Sequence, residues 1–202
     1  MLLRPHLQQV LEKFAAEHGL KLGTIADLIE YRNQHETTVE KVSHCQLPTE
    51  FGQFELVTFR DTIDNQRHYA LCKGDLASDP SPLVRVHVHD FFSDVLHTDR
   101  HTKLNWPLHR AMKRIADEGG VVVILGQNAS QEELLARVEH FAAEDRGEPL
   151  PGAKRPEASR RVGVGSQILR SLGVRRMRLL TGQKRYHALS GFGLEVEAYL
   201  AE

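Results

Sequence analysis

The longest unbroken apolar run in the chain, Val121-Val122-Val123-Ile124-Leu125, ends at Gly126. It falls far short of the ~18 residues a membrane span needs. Its β-branched content and lack of alternation suit a central strand covered on both faces. The flanking sequence offers the cover. Leu108, Ala111, Met112 and Ile115 mark a helix ending at Gly119-Gly120. Ser130-Gln131-Glu132-Glu133 forms a capping box that opens another, with Leu134, Leu135, Val138 and Phe141 as its expected buried side. A Pro/Gly-rich loop over residues 147–156 follows. Then come a helix through Ile168 and Leu169, a strand Met177-Arg178-Leu179-Leu180, a helix around His187-Ala188-Leu189, and a last strand over residues 194–199.

The earlier part has a different rhythm. Leu7, Val10, Leu11, Phe14 and Ala15 recur at helical spacing and stop at Gly19, the expected left-handed terminator. Thr24 can cap a second short helix bearing Ile25, Leu28 and Ile29, and the polar run Arg32-Asn33-Gln34-His35-Glu36 leads out. Three short strands follow, over residues 52–59, 67–72 and 83–88, separated by turn-rich segments, and the block from about Val42 to His89 reads as an antiparallel sheet. The expectation is an α+β fold: an antiparallel strand block, then helices and strands in alternation packed on the sheet. A length of 202 residues allows one domain with extensions or two small ones. Hydrophobic residues at 41% and charged residues at 26% exclude a disordered, collagen-like or coiled-coil chain. Cys45 and Cys72 cannot build a disulfide framework and are expected to be reduced, buried thiols. The opening Met1 to His6 lacks the apolar stretch of a secretory signal, so a cytoplasmic location is expected.

The net charge of −1 hides a polarity, because residues 151–202 hold ten Lys/Arg against four acids. Such a basic quarter suits a phosphate-bearing ligand or nucleic acid, and equally a solvated helix and strand face. Arg160 and Arg161 precede Gly163-Val164-Gly165-Ser166, read as the opening of a helix. Free amides there plus two guanidiniums would cradle a phosphate. The competing reading is that the glycines permit close packing on the sheet. Histidines also gather: His87 and His89 share a strand face, His97 and His101 would share a helix face, and Asp90 lies between. His89, Asp90, His97 and His101 are ligand types zinc accepts, though their spacing matches no tight metal signature. Trp106 and Tyr186 are single aromatics off any basic stripe, so a single-strand nucleic-acid platform is not expected.

Four blocks then fall into one order: Pro82-Leu83-Val84-Arg85-Val86-His87, Gly163 through Val174, Arg178-Leu179-Leu180-Thr181, and Gly193-Leu194-Glu195-Val196. Together they resemble GTP cyclohydrolase II. Residues 17–32 resemble the segment joining the two halves of the bifunctional riboflavin-biosynthesis protein. There a 3,4-dihydroxy-2-butanone 4-phosphate synthase domain precedes the cyclohydrolase domain. The resemblance implies a helical junction over residues 1–39 and a cyclohydrolase-like domain over residues 40–202, a homodimer, and a synthase domain or other riboflavin-pathway enzyme as partner.

It also implies losses. The family's three zinc cysteines fall in register on Asp90, His101 and Lys103. An ammonium at Lys103, with a reference pKa near 10.4, about 4 Å from a divalent cation would be repelled by roughly 8 kcal/mol at an effective dielectric of about 20. The guanine-reading loop becomes Gly126-Gln127-Asn128-Ala129-Ser130-Gln131-Glu132-Glu133-Leu134, without the family's carboxylate. The catalytic Asp-x-Arg becomes Ala158-Ser159-Arg160, leaving a remnant arginine without its acid, and the Thr-Asn-Asn-Pro loop becomes Thr181-Gly182-Gln183-Lys184. No tyrosine stands in residues 148–157, where the family carries a catalytic one. Losing thiolates, carboxylate and acid together removes independent contributions to transition-state stabilisation. The expectation is a cyclohydrolase fold without cyclohydrolase chemistry and without a cofactor. It would retain phosphate or nucleotide anchors at Arg85, Arg160, Arg161, Gly163, Gly165 and Thr181. The enzyme alternative rebuilds a zinc site from His89, Asp90, His97 and His101, and a nucleic-acid-binding module ranks last.

Overall fold

The computed structural model describes residues 5–23, 31, 36–98, 100, 106–126, 130–148, 158–181 and 187–202. The chain divides into two compact units, Met1–Glu36 and Thr37–Glu202. In the first, helix α1 spans Pro5–Glu17 and ends as its sequence requires. Gly19 adopts a φ of +63°, and the Leu20 amide turns back onto the Ala15 carbonyl at 2.8 Å. Val10, Leu11 and Phe14 are exposed on this helix. The second short helix expected from Thr24 lies outside the described residues.

The second unit is one seven-stranded sheet. Its strands are β1 (Val39–Thr49), β2 (Gly52–Asp61), β3 (Arg67–Lys73), β4 (Leu83–Val88), β5 (Gly120–Leu125), β6 (Arg176–Leu180) and β7 (Glu195–Leu200), in the order β1-β2-β3-β5-β4-β6-β7. Short turns join β1 to β2 and β2 to β3, which are antiparallel, and β3 pairs antiparallel with β5. β4 departs from the expected antiparallel block: it runs parallel to both β5 and β6. The reason is its exit. Helices α2 (Phe91–Asp94) and α3 (Leu108–Glu118) carry the chain across before β5, and such a crossover returns a strand in the same direction.

β5 is the centre its sequence demands, with Val121, Val122 and Val123 fully buried. Val122 joins Leu83, Leu180, Ala111 and Ile115 on the α3 face. Val121 and Val123 join Val84, Val164 and Ile168 on the opposite face, covered by α5 (Ala158–Ser171). Gly120 at φ +128° lets β5 start against β4, since a side chain there would overlap the Leu83 carbonyl.

Three expectations need correction. The glycine pair does not open its helix. α5 begins at Ala158, so the amides of Gly163 and Gly165 lie inside it, beyond the first four that go unpaired. A side chain at Gly165 would press on Val86 at 3.2 Å, which favours the close-packing reading. On α4 (Gln131–Asp145), which has the expected capping box at Ser130 and Glu133, only Phe141 is buried; Leu135 is 59% and Val138 48% exposed. This helix turns Leu134, Arg137 and Phe141 inward, at i, i+3 and i+7, and Phe141 meets Phe92 of α2 edge to face at 5.3 Å. Finally, Cys72 is buried but Cys45 is exposed, because β1 is an edge strand. Burial pushes the Cys72 thiol up to about 12, which leaves it protonated and inert.

Candidate functional site

From β4 the chain passes to β5 on one side, then crosses to β6 on the other. Parallel strands arranged this way leave a crevice at their carboxyl ends, where their order reverses. Arg85 and His87 on β4, Gly126 after β5 and Thr181 after β6 all stand at or near that end.

On the α3 face, Arg85 donates through Nη1 to the Leu180 carbonyl at 2.9 Å. Beyond it His87 and His89 share one carboxylate, as their common face required. Asp94 accepts from His87 Nε2 at 2.8 and 3.0 Å, from His89 Nδ1 at 3.1 Å and from the Asp90 amide at 2.9 Å. Burial works against the Asp94 charge, but the hydrogen bonds from His87, the Asp90 amide and His89 outweigh it and hold the carboxyl below its ordinary range. Asp90 caps α2, its Oδ1 accepting from the Ser93 amide at 2.9 Å, while Oδ2 meets Arg137 Nη1 at 2.7 Å. His97 is not helical: α2 stops at Asp94, and His97 takes a φ of +51° with its ring 5.2 Å from that of His109. His101 and Lys103 lie outside the described residues.

On the α5 face, Arg160 does have acids, supplied from elsewhere in the chain. Its Nη2 lies 3.1 Å from Asp61 Oδ2, at the end of β2, and 2.8 Å from Asp64 Oδ2, in the turn that follows. Asp61 is 1% exposed and also accepts the Ile63 amide at 2.9 Å. Beside them His68 is 4% exposed; its Nδ1 accepts the Gly126 amide at 3.1 Å, so the ring proton sits on Nε2, which is buried with no hydrogen-bond partner among the described residues. Burial lowers its pKa, aided by Arg160 and opposed by Asp61 and Asp64. Gly126 is obligatory here, because a side chain would overlap the Arg67 carbonyl.

The expected anchors are therefore not gathered in one place. Arg85 works on the α3 face, Arg160 on the α5 face, and Gly163 and Gly165 inside a helix. Arg161 follows Arg160 on that helix, half-buried, and Thr181 donates its amide to the Leu200 carbonyl at 3.0 Å, as a link between β6 and β7.

The described part of the donor set is not arranged around a common point for zinc. Among the described residues no three His, Cys, Asp or Glu side chains converge to hold a metal ion. The described members of the expected ligand set are engaged elsewhere: His89 on Asp94, Asp90 on Ser93 and Arg137, His97 against His109. Sequence reasoning passed over Asp61, Asp64, His68, Asp94 and Arg137. Asp61 and Asp64, at the end of β2 and in the turn after it, carry an ordinary turn signature, and only Asp94, seven residues after His87, sat inside a cluster already singled out.

Fold and site together define an α+β domain whose polar groups are divided between the two faces of its sheet. The chain belongs to the GTP cyclohydrolase II family, whose model matches residues 40–201. It is 48% identical over 191 residues to a 3,4-dihydroxy-2-butanone 4-phosphate synthase of Photobacterium phosphoreum, covering 94% of this chain and 51% of that protein. To the riboflavin biosynthesis protein RibBA of Aquifex aeolicus it is 39% identical, over 92% of this chain and 47% of that one. The crystal structure of RibBX, a two-domain 3,4-dihydroxy-2-butanone 4-phosphate synthase from A. baumannii, superposes with a TM-score of 0.61 at 36% identity, covering 95% of this chain and 49% of that one. The chain spans about half the length of these relatives. No described helix is long and apolar enough to cross a membrane.

Proposed function

We propose that this domain no longer opens the GTP ring. It serves a 3,4-dihydroxy-2-butanone 4-phosphate synthase as a regulatory, phosphate- or nucleotide-binding, or dimerising module. One observation carries the reading: Arg160, which the resemblance aligns with the family's catalytic arginine, is held by Asp61 at the end of β2 and Asp64 in the turn after it. Two carboxylates within 3.1 Å neutralise the charge that would otherwise meet a transition state. The pairing of Asp90 with Arg137 and the synthase names of the relatives support the same conclusion. The test is formate release from GTP by the purified chain, alongside the rate of 3,4-dihydroxy-2-butanone 4-phosphate formation by a synthase with and without this domain. No formate and a changed synthase rate are expected. Catalytic formate release would overturn the reading in favour of a rebuilt enzyme.

A further inference from the structure

Asp90 stands where the family places its first zinc thiolate, and both its oxygens are committed, one to the Ser93 amide and one to Arg137. We propose that the guanidinium of Arg137 takes the place of a divalent cation at this corner. It fastens α4 to the β4–α2 turn, so that the domain completes the corner without metal.

The geometry is that of a built clamp. Arg137 reaches Asp90 from the inward stripe of α4, with its guanidinium carbon 5.9 Å from the Phe92 ring centre and 5.8 Å from that of Phe141. A weakly hydrated, planar cation is suited to rest on ring faces while pairing with a carboxylate. Asp94 meanwhile draws His87 and His89 onto itself, which removes their bonded nitrogens from any ion shared with Asp90. A metal entering beside Asp90 would have to displace one cation and confront it at close range. Arg137 thus acts as a positioning residue, a fixed charge in a place where the fold expects an exchangeable one.

This inference rests on the proposed loss of cyclohydrolase chemistry, but its test is separate. The full chain, purified without chelator, is titrated with cobalt(II) as a spectroscopic probe, and its thermal unfolding is followed with and without EDTA. For the wild type, no tetrahedral cobalt band and no EDTA-dependent shift are expected. In a cycle of Asp90→Asn, Arg137→Met and the double variant, the two losses should overlap by about threefold in the unfolding equilibrium constant, the scale of a partly exposed ion pair. Arg137→Lys should recover part of that coupling. Removing the guanidinium in Arg137→Met should strengthen cobalt binding about tenfold over wild type, the equivalent of some 1.4 kcal/mol. One equivalent of zinc held by the wild type and lost in Asp90→Asn would overturn the proposal, as would strict additivity in the cycle. Additivity without formate release leaves the functional reading standing, whereas formate release with a coupled Asp90–Arg137 pair removes only that reading.

Discussion

The two faces of the sheet dispose of their polar groups in opposite ways. On the α5 face the acid comes first: Asp61 is sealed in at 1% exposure, and Arg160 arrives from a neighbouring helix to satisfy it. On the α3 face the Asp90–Arg137 pair stays partly open to solvent, and the buried carboxylate, Asp94, is satisfied by histidines and an amide rather than by an arginine. A buried charge without a partner costs several kcal/mol, whereas a solvated pair contributes little. The α5-face arginine should therefore govern stability, and the α3-face arginine geometry. Arg160→Met tests the stronger half. It strands Asp61 in the interior, and a loss of about 3 kcal/mol in urea unfolding is expected. Adding Asp61→Asn, which removes the stranded charge, should return part of it. A loss below that of Arg137→Met would break the comparison.

The faces should also part company with pH. His68 is held neutral by burial, so its folded pKa lies below the unfolded value of about 6.5. As pH falls past that value the unfolded chain takes up a proton that the folded one refuses. Stability therefore declines from about pH 6.5 down to the folded pKa and then levels off. Asp94 loses its contribution in the same direction, but in a more acidic window. With its folded pKa depressed, its contribution is complete above the unfolded value of about 3.9 and is lost as pH drops through the folded value. The difference in unfolding free energy between wild type and His68→Gln, followed from pH 8 to pH 5, should shrink as acid is added. A flat difference would mean that the Gly126 amide does not fix the ring as a neutral acceptor.

Much of this architecture was legible from the chain. The Val121 to Leu125 run announced a central strand, Ser130 and Glu133 a helix start, Gly19 a helix stop, and each rests on local chemistry that needs no partner at a distance. The parallel placement of β4 was less visible, because a short strand of alternating character reads alike in either direction and only its exit crossover decides. The site was least legible. The Arg160 acids lie 99 and 96 positions away in a turn whose aspartates already had a local explanation, and Arg137 was hidden in a helix read for its apolar residues. Absences were easier to see than replacements, because a missing cysteine is a property of one position and a substitute partner is a property of the fold.

The smallest expected effect concerns α4, where the apolar pattern alone misled. Four hydrophobic positions suggested one broad buried face, yet the helix leans on α2 through Arg137 and Phe141 and leaves Leu135 and Val138 exposed. Replacing either by serine removes little area from a packed interior, so each change should stay within about 0.5 kcal/mol of wild type. Phe141→Ala on the same helix vacates a site with an edge-to-face ring partner and should cost several times more. If Leu135→Ser instead matched Phe141→Ala in an isolated chain, the helix would be packed on its other side. The α3-face clamp through Arg137 would then be secondary to an apolar contact.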